Sequence, residues 1–457
     1  MSGRVVRLTL IAAALAAAPA QARTVAVAKR ATLTVVGEQR SDLAGASVAA
    51  AGDVNGDGRA DLIVGAPLAD PQGRSDAGAA YVIFGGCARG TVKLAALGSC
   101  GFRIDGAVPL PTPMRHIGSN PLTSGAGDVV AGPGDVNGDG LADVVLSGRE
   151  AGQFGGAPTV VYVVFGKRDA APVDLAALGS GGFVIHSGGD FVNVVEGHPA
   201  GDINHDGLAD VAVRTAIDGD EDAGSFTVVL GRSDTTPVAV DAPGQTGIFN
   251  VNGQLGGMLV GQAIAPAGDV NHDGFGDLLI GAPGVGSTRT SDERGDVFVL
   301  YGSAAPKGIR LEPGRRFGGY EVKGPRRLDG FGWALARFGS SGFVSGAPGP
   351  PSRGLHGPGG AWIVPKRGAR PLRINGPHDG GPAGVVVATS GSHVLVLARG
   401  RSTKLAGAWS YSRRARLENT YTGLRNAREA RIAGAGMGSG AFLLGSPGNS
   451  RAYLVTP

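Results

Sequence analysis

The stretch GDVNGDGRADLIVGAP, which runs from Gly52 to Pro67, joins an acidic loop to a strand-like apolar segment. Side chains that carry oxygen alternate with small residues at Asp53, Asn55 and Asp57, and a further carboxylate follows at Asp61. Counted from Asp53, these side chains occupy positions 1, 3, 5 and 9 of one loop, and position 7 offers its backbone carbonyl. The pattern is compatible with an acidic turn, or with a metal site at the start of a β-strand.

Three further copies of this stretch follow along the chain. They are GDVNGDGLADVVLSG from Gly134, GDINHDGLADVAVRT from Gly201 and GDVNHDGFGDLLIGAP from Gly268. The first aspartates of successive copies are 82, 67 and 67 residues apart. Each copy precedes an aromatic or aliphatic strand, such as AAYVIFGG from Ala79, and then a strand that ends in glycine. A repeat of about 65 residues built from short strands is typical of a propeller blade with long loops.

The strand pattern continues in three later units that lack the aspartates. These units contain FGWALARFGSSGFVSGAP from Phe331, VVVATSGSHVLVLARG from Val385 and ARIAGAGMGSGAFLLGSPG from Ala430. The last unit ends one strand short, and TLTVVG (Thr32–Gly37) resembles the missing strand. An N-terminal strand in that place would close the ring and remove free sheet edges. We therefore predict an all-β, seven-bladed β-propeller that occupies residues 32–457 as a single domain.

The loop chemistry favours Ca²⁺, because all the donors are oxygens and each loop carries three carboxylates. Mg²⁺ would require a stricter octahedron with more water. Position 6 is glycine in every copy, which predicts a left-handed turn there. An EF-hand needs a bidentate glutamate at position 12, but that position is apolar in all four copies: Val64, Leu146, Val213 and Ile280. The alternative is an acidic turn that binds no metal.

The order of acidic loop, GAP ending and aromatic strand resembles the FG-GAP repeat of integrin α-subunit propellers and of bacterial secreted FG-GAP proteins. The resemblance extends over essentially the whole mature chain. It implies a seven-bladed propeller with Ca²⁺ in hairpin loops of blades 1 to 4, on one face. The ligands that it implies, with a backbone carbonyl at each seventh position, are Asp53, Asn55, Asp57, Arg59 and Asp61; Asp135, Asn137, Asp139, Leu141 and Asp143; Asp202, Asn204, Asp206, Leu208 and Asp210; and Asp269, Asn271, Asp273, Phe275 and Asp277. Units 5 to 7 keep no carboxylate set, and we predict no metal there.

Charge is distributed unevenly along the chain. Residues 308–457 hold 22 Lys+Arg and 6 Asp+Glu, whereas residues 1–307 hold 20 and 32. The four loops contribute twelve aspartates to the acidic part, so we expect bound Ca²⁺ to balance charge there and to stabilise the folded chain. The basic part is compatible with an anionic partner or with solvated outer strands and loops. We favour solvated strands and loops, and we expect no nucleic-acid partner.

Residues 1–22 predict a secretion signal peptide. Two arginines precede the apolar run LTLIAAALAAA (Leu8–Ala18), and AQA (Ala20–Ala22) is a cleavage site of the small-x-small type. The alternative is an N-terminal membrane anchor, but the run is too short to span a membrane. We expect cleavage before Arg23, a short linker over residues 23–31, and a secreted protein without a membrane span in its mature chain.

The chain has two cysteines, Cys87 and Cys100, which are 13 residues apart. In an exported protein we expect them to pair, because they lie close together in the sequence and no CxxC motif is present.

The sequence contains no recognisable catalytic constellation. It lacks a GxSxG elbow and an HExxH motif, and none of the eight histidines pairs recognisably with a nucleophile. The tripeptide RGD occurs at Arg294–Asp296, where it introduces a strand. We therefore predict a monomeric binding or adhesion module for an extracellular protein or glycan. The alternative is an extracellular hydrolase or lyase that acts on a carbohydrate or phosphoester at the top face of the propeller.

Overall fold

The chain folds into a seven-bladed β-propeller, and each blade is built on an antiparallel sheet of four strands. This all-β architecture confirms the predicted fold class. The computed structural model describes residues 23–109, 125–149, 159–187, 192–217, 223–242, 245–284, 294–349, 359–376, 383–398, 407–422, 424, 434–437 and 440–456.

Blades 1 to 3 follow one another along the chain, and the four core strands of each run from the propeller axis outwards. Blade 1 consists of β3 (Ser47–Gly52), β4 (Asp61–Ala66), β5 (Ala79–Ile83) and β7 (Gly101–Asp105). Blade 2 consists of β8 (Val130–Gly134), β9 (Asp143–Arg149), β10 (Thr159–Val164) and β12 (Gly182–His186). Blade 3 consists of β13 (Val192–Gly201), β14 (Asp210–Ile217), β15 (Ser225–Val229) and β17 (Ile248–Gly253).

Blades 4 to 7 complete the ring with the same strand order. Blade 4 consists of β18 (Ile264–Gly268), β19 (Asp277–Ala282), β20 (Asp296–Leu300) and β22 (Gly319–Lys323). Blade 5 consists of β23 (Leu335–Phe338), β24 (Gly342–Gly346), β25 (Gly360–Val364) and β26 (Leu372–Asn375). Blade 6 consists of β27 (Ala383–Ser390), β28 (His393–Ala398), β29 (Gly407–Ser412) and β30 (Leu417–Thr422). Blade 7 consists of β31 (Gly434–Gly436), β32 (Phe442–Ser446), β33 (Arg451–Val455) and the N-terminal strand β2 (Leu33–Val36).

The N-terminal strand closes the ring as predicted. Strand β2 pairs antiparallel with β33, and Leu33 lies opposite Leu454. Both inward-facing side chains of β2, Leu33 and Val35, are fully buried. The segment predicted as a linker, residues 23–31, contains structure of its own. It forms strand β1 (Arg23–Ala26), which pairs parallel with β30 of blade 6, and one helical turn, α1 (Val27–Arg30).

Several blades carry a fifth strand on their outer edge. Four of these strands lie in the connections between the third and fourth strands of blades 1 to 4, and each pairs parallel with the outer strand of the preceding blade. They are β6 (Gly90–Lys93), β11 (Val173–Asp174), β16 (Val238–Ala239) and β21 (Ile309–Leu311). Strand β1 has the same position on blade 6.

The helices are single turns in connections. The described 3₁₀ turns are Pro71–Gly73, Gly85–Cys87, Leu94–Ala96, Gly98–Cys100, Leu175–Ala177, Gly179–Gly181 and Pro447–Asn449. Within the described ranges, no helix is long and apolar enough for a membrane crossing.

Adjacent blades pack face to face through their middle strands. Strands β4 and β5 are buried at every position, because each has a neighbouring blade or strand layer on both faces. Such strands are continuous apolar runs rather than alternating ones. One core cluster joins Ile63 and Val82 of blade 1 to Val144 and Tyr162 of blade 2. The blade interfaces therefore form the hydrophobic core and place the acidic loops of successive blades next to each other.

Candidate metal-binding loops

The first acidic loop lies in the hairpin between β3 and β4, and its opening aspartate organises the backbone. Oδ1 of Asp53 accepts hydrogen bonds from the N–H groups of Gly56 at 2.8 Å and Asp57 at 3.0 Å, and Oδ2 accepts one from Gly58 at 2.8 Å. The side-chain oxygens of Asn55 and Asp57 each accept from the N–H two residues further on, as in Asx turns. The oxygens that the sequence proposes as ligands therefore shape the loop itself.

The same bonding recurs in the loops of blades 2 to 4, which lie between the first and second strands of their blades. In each loop, the N–H at position 6 donates to the carboxylate at position 1. These bonds join Gly140 to Asp135 at 2.8 Å, Gly207 to Asp202 at 3.0 Å and Gly274 to Asp269 at 2.9 Å. The φ angles at position 6 lie between 80° and 94°, which confirms the predicted left-handed turn.

Position 4 is also left-handed, a requirement that the sequence analysis missed. Gly56 and Gly138 have φ angles of 75° and 80°, and His205 and His272 have 58° and 63° in the equivalent places. A residue with a Cβ is strained in this region, whereas glycine is not. The available signal was that two of the four copies carry glycine at this position.

The aspartates at position 9 are fully buried, and each ties its loop to the connection that follows the third strand of the same blade. Asp61 accepts from the N–H of Val54 at 2.8 Å and from that of Gly85 at 2.6 Å. The equivalent residues Asp143, Asp210 and Asp277 each accept two backbone N–H groups at 2.7–3.0 Å.

Burial has a clear electrostatic effect at position 9. Desolvation raises the pKa of Asp61 to about 6 and the pKa values of Asp143 and Asp210 to about 7, although the two N–H donors oppose the change. Burial also raises the pKa of Asp277. The neighbouring aspartates of each loop act in the same direction as burial, because like charges disfavour ionisation.

Successive loops are hydrogen-bonded to each other. The carbonyl at position 1 of one loop accepts from the N–H at position 8 of the next, so that Asp53 is joined to Ala142 at 2.9 Å. The carbonyl of Val54 also accepts from the N–H of Lys167, in the connection of blade 2, at 2.9 Å. These links between loops are not predicted from the sequence. The signal was a small residue at position 8 in every copy: Ala60, Ala142, Ala209 and Gly276.

The donor chemistry of the loops fits Ca²⁺. Each loop offers side-chain oxygens at positions 1, 3, 5 and 9 and a carbonyl at position 7, which is a hard, all-oxygen set. In the parts of the chain that the structure describes, no three His, Cys, Asp or Glu side chains converge in an arrangement that could hold a metal ion. The loop oxygens accept backbone N–H groups instead. A carboxylate oxygen has more than one lone pair, so these bonds leave capacity for a metal, but ligation requires the side chains to turn towards one centre.

Two further sequence features have clear structural positions. Cys87 and Cys100 form a disulfide with a Cα–Cα distance of 5.5 Å, as predicted, within the connection of blade 1. Asp296 of the RGD tripeptide is buried at the start of β20, where its carboxylate accepts the N–H of Gly324 at 3.1 Å. Gly295 of the tripeptide is buried as well, whereas Arg294 is half-buried.

Comparison with known proteins identifies the repeat. The FG-GAP repeat family matches residues 44–83 and 260–300, which contain the first and fourth acidic loops. Integrin alpha-PS5 of Drosophila melanogaster is 31% identical over 148 residues, which are 30% of this chain and 12% of that protein. Integrin alpha pat-2 of Caenorhabditis elegans is 36% identical over 75 residues, which are 16% of this chain and 6% of that protein. The matched segments are thus a small part of these larger relatives.

Two solved structures show a distant likeness to this chain. Hydrazine synthase of Kuenenia stuttgartiensis aligns with a TM-score of 0.46 and 10% identity over 92% of this chain and 96% of that chain. The PQQ-bound aldose sugar dehydrogenase of Streptomyces coelicolor aligns with a TM-score of 0.36 and 12% identity over 78% of this chain and 90% of that chain. Neither likeness indicates a function. The chain therefore contains FG-GAP repeats in two places, and its seven-bladed fold with repeated acidic loops resembles the propellers of integrin alpha subunits.

Proposed function

We propose that this propeller is a secreted, calcium-binding module that binds an extracellular protein or glycan, in the manner of an adhesion domain. The observation that carries the proposal is the run of four acidic loops with the same internal bonding, joined in series from blade 1 to blade 4. The similarity to integrin alpha subunits supports a binding role. We further propose that the ring acts as a monomer, with the ion-binding loops stabilising the surface that the partner contacts.

Calcium would be held by positions 1, 3, 5, 7 and 9 of each loop, and it would supply positive charge to a group of three carboxylates. The aspartates at positions 1 and 5 lie on the surface of the hairpin. The aspartate at position 9 is buried and would be the innermost ligand. The protein contributes a preformed turn, because the glycine at position 6 and the N–H bonds to position 1 already determine the loop conformation. The proposed role of the ion is structural.

Ion binding is tested by titrating the EDTA-stripped protein with Ca²⁺ in a calorimeter. We expect several sites, and we expect Asp57→Asn to weaken one of them because it removes a charge at position 5 with little change of shape. The matched control is Asp234→Asn, which changes an exposed aspartate outside the loops. Absence of heat and of any Ca²⁺-dependent spectroscopic change in the wild type would contradict the proposal.

Partner binding is tested with a glycan array and a protein pull-down, each performed with Ca²⁺ and with EDTA. We expect a ligand whose capture depends on Ca²⁺, and we expect Asp57→Asn to reduce capture while Asp234→Asn does not. If the protein binds Ca²⁺ but captures no ligand in either assay, the result would support the ion sites and contradict the proposed binding function.

Secretion is tested by N-terminal sequencing of protein recovered from the culture medium. Strand β1 begins at Arg23, so cleavage before that residue would leave every described strand in the mature chain. We expect a mature N-terminus near Arg23. Protein that stays in the cells with residues 1–22 attached would contradict export.

A further inference from the structure

The outer edges of the blades fall into two classes. Five blades carry a fifth, parallel strand, whereas blades 4 and 5 end at their fourth strands, β22 and β26, with no fifth strand in the described ranges. An outer strand without a neighbour presents a row of unpaired N–H and C=O groups, to which another chain can add as a strand.

The difference follows from the length of one connection. Blades 1 to 4 join their third and fourth strands through 17 or 18 residues, which are 84–100, 165–181, 230–247 and 301–318. Each of these connections is long enough to place a strand on the preceding blade. Blades 5 and 6 use the seven residues 365–371 and the four residues 413–416, which can only turn back. Blade 4 therefore loses the strand that its neighbour would supply.

The short connection of blade 5 nevertheless begins as the long connections do, with a basic side chain over an aromatic ring of the preceding blade's outer strand. Its Arg367 lies over the ring of Tyr320 in β22, with 4.7 Å between the guanidinium carbon and the ring centroid. The same contact occurs between neighbouring blades that have long connections, where Lys167 lies over Phe102 at 5.1 Å and Arg232 lies over Phe183 at 5.7 Å. The connection of blade 5 therefore contacts the outer strand of blade 4, β22, at Tyr320 but forms no strand along the edge of β22.

The register between β20 and β22 shows which backbone N–H and C=O groups of β22 take no part in that pairing. Gly324 donates its N–H at 2.8 Å to the carbonyl that precedes β20, and hydrogen-bonded pairs alternate along an antiparallel ladder. The backbone groups of Glu321 and Lys323 therefore point away from β20. In blade 2 the position of Lys323 is occupied by His186, whose carbonyl accepts the N–H of Val240 beside the fifth strand at 3.0 Å.

Basic residues flank β22 along the chain and occur in the connection of blade 5. The connection of blade 5 contains no acidic residue, and the two acidic side chains of residues 312–327 are already engaged: Glu312 pairs with Arg315 at 3.3 Å, and Glu321 accepts the N–H of Gly314 at 2.8 Å. The exposed basic residues of these two segments, which form a basic rim, are Arg315, Arg316, Lys323, Arg326, Arg327, Lys366, Arg367 and Arg370.

We propose that the outer edge of β22 binds an extended acidic segment of a partner protein as a fifth strand, parallel to β22 as in the sister blades. Main-chain hydrogen bonds to Glu321 and Lys323 supply the pairing, and the basic rim selects acidic side chains. This inference rests on the proposed binding function, for which it names the partner chemistry and the place.

The test uses a fluorescein-labelled decapeptide of alternating glutamate and valine, and fluorescence anisotropy with the full mature chain. Methylation of one alternate set of backbone nitrogens should weaken binding by at least about tenfold, because it removes the donors that face β22, whereas methylation of the other set should have little effect. Equal effects of the two methylated sets would overturn the proposal. So would complete displacement of the peptide by dextran sulfate together with no effect of methylation, because the surface would then recognise charge alone.

Two variants locate the site. Lys323→Pro removes one outward N–H at a position where an edge strand accommodates proline, and Arg326→Glu reverses one rim charge without touching the backbone. Both should weaken peptide binding, whereas Arg89→Glu, an exposed charge reversal in blade 1, should not. If Arg326→Glu and a folded Lys323→Pro variant both bind the peptide as the wild type does, the edge of β22 is not the binding site. Capture of a Ca²⁺-dependent partner in the pull-down would then still support the proposed function. A concentration-dependent dimer that Lys323→Pro abolishes would assign the edge to a second copy of the chain and would also overturn the proposal.

Discussion

The backbone carbonyl of Asp53 accepts a hydrogen bond of 2.9 Å from the N–H of Ala142, so the first acidic loop is bonded directly to the second. The side chain of Asp53 shapes its own loop, while its main chain holds the loop of the next blade. Equivalent bonds join Asp135 to Ala209 at 2.7 Å and Asp202 to Gly276 at 2.8 Å. The acidic loops of blades 1 to 4 are therefore one connected structure, and a change in one loop should be felt by its neighbour.

Ala142→Pro tests this link between blades. Proline removes the N–H and leaves the carbonyl of Asp53 without its partner, so we expect a loss of about 1–3 kcal/mol in the free energy of unfolding. The matched control is Ala60→Pro at the same position of the first loop, because the hydrogen bonds of the described residues include none from the N–H of Ala60. Chemical denaturation of both variants measures the difference. Equal losses would show that the effect is a local consequence of proline.

Gly207→Ala tests the left-handed turn at position 6. The φ angle of Gly207 is 87°, and an added Cβ would meet nothing within 4 Å, so the substitution isolates backbone strain. We expect a destabilisation of about 1–2 kcal/mol. Gly318→Ala is the control, since that site is equally open but has no left-handed φ angle. Equal melting temperatures for the two variants would contradict the assignment of strain to position 6.

Calcium removal should lower the melting temperature. Each loop groups three carboxylates, and an ion that binds only the folded chain stabilises it by mass action, on the order of several kcal/mol when the sites are well filled. Differential scanning fluorimetry with Ca²⁺ and with excess EDTA measures the change, and Mg²⁺ at the same concentration is the control for ionic strength. An unchanged melt in EDTA would be incompatible with a structural role for the ion.

Asp296 should make stability fall as the pH rises. Burial and the neighbouring carboxylate of Glu321 raise the pKa of Asp296 to about 8, well above its ordinary value. The folded chain therefore holds a proton that the unfolded chain has lost, and the stability that this proton confers is complete below about pH 4 and is lost progressively up to about pH 8. Asn is nearly isosteric and keeps the acceptor for Gly324, so Asp296→Asn should flatten this part of the profile.

The pH profile is measured by denaturant unfolding between pH 4 and pH 8. The control is Asp234→Asn, because hydrogen bonds from Arg232 and Thr236 lower the pKa of Asp234 to about 2. That residue titrates below the measured range and should leave the slope unchanged. If Asp296→Asn keeps the slope of the wild type, another group is responsible for it.

Loss of the disulfide should cost about 2–3 kcal/mol, because Cys87 and Cys100 close a short loop that becomes freer in the reduced unfolded chain. The double substitution Cys87→Ser and Cys100→Ser removes the bond. Its melting temperature is compared with that of the wild type, with and without a reducing agent. Only the wild type should respond to reduction, and a reduction-sensitive double variant would show that the effect has another source.

The repeat in the sequence was sufficient to predict the blades. Four copies in register with apolar strands predict a propeller, and the resemblance of Thr32–Gly37 to the strand that the last unit lacks predicts its pairing with β33. The period of two along a strand and the glycines of the turns are local properties, so a single chain displays them directly. The oxygen donors at positions 1, 3 and 5 are local in the same sense.

Contacts between repeats depended on the tertiary structure. The second role of Asp61, as acceptor of the N–H of Gly85, joins residues 24 positions apart, and the bond from Ala142 to Asp53 crosses from one blade to the next. The open edge of β22 depends on a connection in blade 5 that is too short to supply a strand. The sequence by itself determined the kind of repeat, the closing strand and the spacing of the oxygen-bearing side chains in the loops. The tertiary structure decided which blades share a strand and which loops are bonded, because these are relations between segments that no local pattern contains.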